Sequence, residues 1–201
     1  MPEQQVVNVG QQAFLKDGYF KKWYGKWISN ALENNPQIKE DFEKRDCCLT
    51  SFPRPQNRPV LICGAGCTLD DNIDKLKDWK NPIMAATSVG FNLVAHDREP
   101  EFLSAFDSLY VIKDHVAGYS WKNTTLLAHP TVEPMLLKNW KWNKLYYRRV
   151  FEHHEFFEMT LPLMFPQIKL GIRFSGSVVN NAFTIAIFLG FNPIVLVGCD
   201  Y

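Results

Sequence analysis

Three stretches of this chain concentrate the residue types that handle phosphates and sugar hydroxyls. The first is Gly64-Ala65-Gly66-Cys67-Thr68, directly after the apolar run Val60–Cys63. A buried strand, a glycine turn and a hydroxyl-capped helix together present backbone N–H groups to an anion. Such a turn also needs glycine for steric reasons alone, so its glycines are open to either reading. The Gly-Lys-Ser/Thr ending of a Walker loop is absent, and so is the third glycine of a dinucleotide fingerprint. Asp70 and Asp71 follow the turn. They complement the dipole of a helix start, or hold a metal bound to phosphate.

The second stretch is Ser175-Gly176-Ser177, another helix start. Its backbone donors and two hydroxyls can hold a ribose, a base or a phosphate. Arg173, just upstream, carries a guanidinium able to engage two phosphate oxygens. Asn180 and Asn181 place amides in an otherwise apolar helix, either to contact a ligand or to cap and pair internally. The third stretch is the end of the apolar run Pro193–Val197, where Asp200 stands. A carboxylate there can bind a ribose hydroxyl or a divalent ion, or act as general base on an acceptor hydroxyl. His129, after another strand-like run, and Asp107 are further acid–base candidates. His153 and His154 are adjacent, so on a helix they point in different directions, and no metal-ligand set can be named.

These groups need a scaffold that gathers strand ends. Val60–Cys63, Ile83–Thr87, Leu109–Ile112, Thr125–Ala128 and Pro193–Val197 read as strands, and Leu145–Val150 as an edge strand. Thr68–Trp79 reads as the first helix, Glu101–Phe106 as a helical turn, and Phe174–Gly190 as a buried, nearly all-round apolar helix. Glu152–Gly171 reads as a long loop or irregular helical insert. The alternation predicts an α/β, Rossmann-like domain, its sheet mainly parallel with helices on both faces. Residues 1–57 form a helical appendage and linker, with an amphipathic helix over Gln11–Asn35 stopped by Asn34-Asn35-Pro36. Residues 58–201 form the nucleotide-binding domain. In an open α/β sheet the ligand lies beyond the strand ends, so a chain stopping at Tyr201 is expected to continue in its native form.

Composition narrows the class. With 46% apolar and 21% charged residues and a formal net charge of +1, the 201-residue chain reads as a soluble globular domain. Its charge does not suggest a nucleic-acid surface. No stretch is long and apolar enough to cross a bilayer. Five cysteines, an odd number, and no secretion signal point to a reducing cytoplasm.

Residues 58–71 and 173–201 resemble the domain shared by archaeal 6-hydroxymethylpterin pyrophosphokinase and the motility-associated flagellin glycosyltransferases. The family's Gly-Ala-Gly turn, commonly followed by Pro-Ser-Leu, corresponds to Gly64-Ala65-Gly66 and then Cys67-Thr68-Leu69. Its second block corresponds to Gly176-Ser177-Val178, Leu189-Gly190-Phe191, and the strand ending in Gly198 and Asp200. The middle of the chain departs from the pattern, with Glu99-Pro100-Glu101 and Asp107 nearest to a family aspartate. The resemblance implies a Rossmann-like nucleotide fold and a general layout similar to bacterial sialyltransferases that use CMP-sugars. The expected activity is a nucleotide-dependent transferase, foremost glycosyl transfer from a nucleotide sugar in surface glycan or glycoprotein synthesis. Diphosphate transfer from ATP, which needs Mg²⁺, is the alternative, and a non-catalytic nucleotide-binding domain of a larger protein is the third reading. The expected partners are a nucleotide-containing small molecule and either a second copy of the chain or the missing C-terminal region.

Overall fold

The computed structural model describes residues 19–55, 57–150, 155–173 and 177–200. The expectations on Ser175, Gly176, His153 and His154 lie outside them. Six parallel strands form one sheet in the order β5-β4-β3-β2-β1-β8. They are β1 (Val60–Cys63), β2 (Ile83–Ala86), β3 (Phe102–Ala105), β4 (Thr125–Ala128), β5 (Lys144–Tyr146) and β8 (Ile194–Val197). A separate ribbon pairs β6 (Arg148–Val150) with β7 (Gly171–Arg173), also in parallel.

Alternation along each strand builds two cores, because successive side chains leave opposite faces of the sheet. Leu61, Cys63, Ile83, Ala85, Leu103 and Leu126 face one core. Val60, Ile62, Met84, Phe102 and Leu127 face the other. The first core is covered by α1 (Tyr19–Lys44) through Trp27, Ala31 and Ile38. The second is covered by α5 (Val178–Leu189) through Ala182, Ile185, Ala186 and Leu189. The expected α/β architecture, helices on both faces, is therefore the observed one. Among the described residues there are also three short α-helices, α2 (Gly90–Ala95), α3 (Pro134–Asn139) and α4 (Leu161–Met164), the last after a π-helical turn at Phe156–Thr160.

Several expectations change. Glu101–Phe106 holds the third strand, while Leu109–Ile112 lies in a loop and the 3₁₀ turn Tyr110–Lys113. The reason is local: Asp107 Oδ1 accepts from Leu109 N at 3.0 Å and turns the chain there. Leu145–Val150 is split, its first residues serving β5 and its last β6. β8 is an edge strand, leaving Leu196 50% exposed. α5 is not buried all round, since Ile187 is 56% exposed on its outer side.

The N-terminal helix shares the first core with the sheet. α1 runs through Asn34-Asn35-Pro36 instead of stopping. An interior proline costs about 3 kcal/mol. Buried contacts on both sides of Pro36 offset it. Asn34 Nδ2 donates to the carbonyls of Pro130 (2.9 Å) and Val132 (2.8 Å), and Asn30 Nδ2 donates to that of Thr131 (3.0 Å). Beyond the proline, Asp41 accepts from Lys144 Nζ and Tyr146 OH, each at 2.7 Å. Burial, followed by the Asp41 charge, pushes the Tyr146 hydroxyl well above its ordinary range. No helix among the described residues is long and apolar enough to cross a membrane.

Candidate functional site

Strand order reverses at β1. The chain steps outward from β1 to β5, then returns to place β8 on the opposite side of β1. A reversal point leaves a crevice beyond the carboxyl ends, here at Cys63 and Val197. The two strand ends are knitted by backbone hydrogen bonds, Gly64 N to Val197 O (2.9 Å) and Gly66 N to Gly198 O (2.8 Å). A Cβ on Gly64 would lie 2.2 Å from the Gly198 carbonyl oxygen, and one on Gly198 would lie 2.3 Å from the Gly64 oxygen. Gly198 also has φ of +64°, in the left-handed region.

The expected helix Thr68–Trp79 is instead two 3₁₀ segments, Cys67–Leu69 and Ile73–Asp78. Asn72 separates them, its side-chain amide donating to Thr68 O at 2.8 Å in competition with helical bonding. Thr68 does not cap a helix. Its hydroxyl donates to Asp200 Oδ1 and accepts from Gly198 N at 3.0 Å. Asp200 Oδ2 also accepts from Cys67 Sγ at 2.9 Å and, at longer range, from Thr68 N at 3.3 Å. The donors expected to meet a phosphate thus already meet a carboxylate of the same chain. The Cys67 thiol and then the Thr68 hydroxyl hold the Asp200 carboxyl far below the usual carboxylate range. Asp200 in turn raises the Cys67 thiol, keeping it a protonated donor.

α5 brings its start to the same edge. Ser177 is its N-cap, accepting from Asn180 N at 3.2 Å, and Gly190, at φ of +81°, ends it. Val179 Cγ2 lies 3.1 Å from the position a Gly64 Cβ would take, so the first turn of α5 abuts the glycine turn. Arg173 ends β7 just upstream and is exposed, as is Asn180, whereas Asn181 is buried. Gly64, Ala65, Gly66, Cys67, Thr68, Asp200 and the start of α5 therefore belong to one edge.

His129 and Asp107 follow β4 and β3, three and two strands from β1, about 14 and 10 Å away at ordinary strand spacing. His129 is fully buried, with Nδ1 2.7 Å from Thr131 Oγ1 and accepting from Thr131 N at 3.2 Å. Burial, then the Arg149 and Arg148 charges, lowers its pKa well below the ordinary histidine value. That position argues against proton transfer with a solvent-borne substrate. Asp107 is engaged in its turn. Sequence reasoning did not single out Gly198 as the steric partner of Gly64, although its place at the end of an apolar strand was the available signal. It also placed Arg149 at an edge. The structure buries Arg149 among aromatic rings, 4.5 Å from the Phe106 centroid.

Two measurements check these assignments. Gly64→Ala is expected to lose about 3 kcal/mol or more of stability in urea unfolding, since its Cβ meets backbone that cannot swing aside. His129 sets a pH dependence. Below about pH 6.5 the unfolded imidazole takes a proton that the buried ring refuses, so stability falls as pH falls, by up to about 1.4 kcal/mol per unit. The wild-type slope between about pH 6.5 and 5.5 is expected to exceed that of His129→Gln; equal slopes would contradict a buried neutral ring.

Comparison with known proteins bears on this edge. A search among curated proteins gave no match. Among solved structures, the fold is similar to the Maf glycosyltransferase from Magnetospirillum magneticum AMB-1, with a TM-score of 0.60 and 24% identity. The match covers 73% of this chain and 23% of that one, so this chain spans about a quarter of that protein's length. The model of the family described as 6-hydroxymethylpterin diphosphokinase MptE-like matches residues 29–201, which include α1 from Ser29 onward, the whole sheet and the edge just described. The chain belongs to the MptE-like family.

Proposed function

We propose that this chain transfers a glycosyl group from a nucleotide sugar, at the carboxyl edge between β1 and β8, with a CMP-sugar as the first donor to test. The observation that carries the reading is the contact between the first turn of α5 and the glycine turn, at the point where strand order reverses. The likeness to a Maf glycosyltransferase over 73% of the chain supports a sugar as the transferred group. A cytoplasmic setting and a role in surface glycan or glycoprotein synthesis belong to the same proposal.

In this reaction the bond from the anomeric carbon to the phosphate oxygen breaks. The nucleotide leaves with the electron pair, and the acceptor hydroxyl bonds to the sugar and gives up its proton to the departing phosphate or to water. Negative charge grows on the leaving phosphate, and we assign its stabilisation to the positive end of α5 and the Arg173 guanidinium. Asp200 is ionised and occupies the Thr68 donors, so like-charge repulsion keeps the phosphate to the α5 side. A carboxylate held so firmly ionised has little proton affinity, which disfavours general-base work. Asp200 suits a ribose hydroxyl better.

Among the described residues, no three His, Cys, Asp or Glu side chains gather to hold a metal by themselves. Mg²⁺ commonly arrives with substrate phosphates and takes only one or two carboxylates, and Asp200 fits that smaller part. This bears on a second reading, favoured by the family's description: diphosphate transfer from ATP to the alcohol of a pterin. Mg²⁺ bound with ATP would supply charge neutralisation at the phosphates.

Calorimetric titration with CMP, UDP, GDP and ATP, each with and without Mg²⁺, separates the readings. CMP is expected to bind without metal, and Ser177→Ala and Asp200→Asn are each expected to weaken it about tenfold, or about 1.4 kcal/mol. ATP binding that requires Mg²⁺ and is weakened by Ser177→Ala, without CMP binding, would replace the first reading by the second. Binding without turnover of the corresponding nucleotide sugar would leave a non-catalytic nucleotide domain, and the absence of any binding that Ser177→Ala weakens would contradict both enzymatic readings.

A further inference from the structure

The other end of the sheet carries a second site. A cleft of ≈ 600 Å³ lies between the end of α1, the turn before β4 and the turn before β5. All six strands run in parallel, so it sits at their amino ends, on the opposite edge from Thr68 and Asp200. Its cations are Lys44, Arg45, Lys122, Lys141 and Lys144, against the single carboxylate of Asp41. A chain with a formal net charge of +1 has no compositional reason to place five cations around one cleft. Like charges so close repel one another unless an anion is shared among them.

Three of the cations are already engaged. Lys44 pairs with Glu40 and Lys144 with Asp41, while Arg45 donates to the Asn143 side chain at 2.6 Å. Lys122 and Lys141 are exposed, and no carboxylate lies within ion-pair distance of either among the described residues. The wall behind them is rigid. Trp121 stacks on Trp140 with centroids 6.0 Å apart, and Trp140 meets Trp142 edge-on at 5.5 Å. Trp140 Nε1 donates to Asn143 O at 2.9 Å, fixing the turn that Arg45 also grips. Trp142 is half-buried and offers the cleft an apolar indole surface.

We propose that this cleft binds a multiply phosphorylated small molecule, its phosphates shared between Lys122 and Lys141 and its organic part against Trp142. The volume is that of a small-molecule pocket. The cation excess calls for more than one anionic group, and an aromatic wall beside lysines suits an organic polyphosphate. The site is separate from the edge assigned to glycosyl transfer and stands whether or not that assignment holds.

The test titrates the full chain with inorganic tripolyphosphate at low salt and reads tryptophan fluorescence. The expected result is a saturable change that weakens as salt rises. The double substitution Lys122→Gln and Lys141→Gln is expected to weaken binding at least about tenfold, the scale of one lost charge-assisted hydrogen bond. Its thermal melt is expected to be unchanged, since neither lysine holds another element. Trp142→Phe is expected to remove most of the fluorescence change while calorimetry still detects binding. The proposal is overturned by absence of binding to the unaltered chain, by unchanged affinity in the lysine variant, or by weakening in Ser177→Ala alone, which would place the anion at α5.

Discussion

The close backbone approach between the ends of β1 and β8 is the constraint on which the rest depends. Gly64 and Gly198 lie so near that a Cβ on either would meet the other's carbonyl oxygen at 2.2 to 2.3 Å. That approach lets Gly66 N reach Gly198 O and Gly198 N reach the Thr68 hydroxyl. It also leaves room for Val179, and so sets α5 against the turn. The same glycines that suggest a phosphate cradle are thus required first by the close packing of two backbone segments. Ligand chemistry, where it occurs, uses a crevice that packing has already defined.

Electrostatics then divides the molecule. At the carboxyl edge the chain supplies its own anion, Asp200, to the turn beneath it. The nearby start of α5 is a separate positive end in a partly exposed position. At the amino edge the balance inverts, with cations outnumbering carboxylates around Trp142. Between the two lies a sheet whose six strands bury both faces over most of its width. Exposure of β8 and the outer side of α5 is the exception. Asn34 is tied to backbone carbonyls and Asp41 to Lys144, so α1 is held to the carboxyl-end loops and to β5 by hydrogen bonds as well as by apolar packing.

Much of this was legible in the sequence where a local rule and the tertiary context agree. Val60–Cys63 and Thr125–Ala128 are apolar runs of strand length and are strands over those same residues. Ser177 and Gly190 mark α5 by capping chemistry that does not depend on distant residues. Where a distant partner decides, the sequence misleads. Thr68 has the look of a helix cap, but its hydroxyl is claimed by Asp200, 132 residues away. Pro36 has the look of a helix stop, yet the buried contacts of Asn34 and Ile38 on either side carry α1 through it. Phe102–Ala105 is fully buried and short, and helix and strand cannot be told apart by period over four residues. The site followed the same division. The glycine turn, Ser177 and Asp200 were readable as separate motifs, while the burial of His129 was not.

The central claim is that nucleotide binds where the sheet reverses order, on the α5 side of Asp200. Backbone amide shifts during titration with CMP or a CMP-sugar test it most directly. The account predicts the largest changes at Val178–Asn181, with smaller ones at Gly64–Thr68, and none at the amino edge around Asn143. Changes centred on Lys141–Lys144, or none at the start of α5, would contradict it.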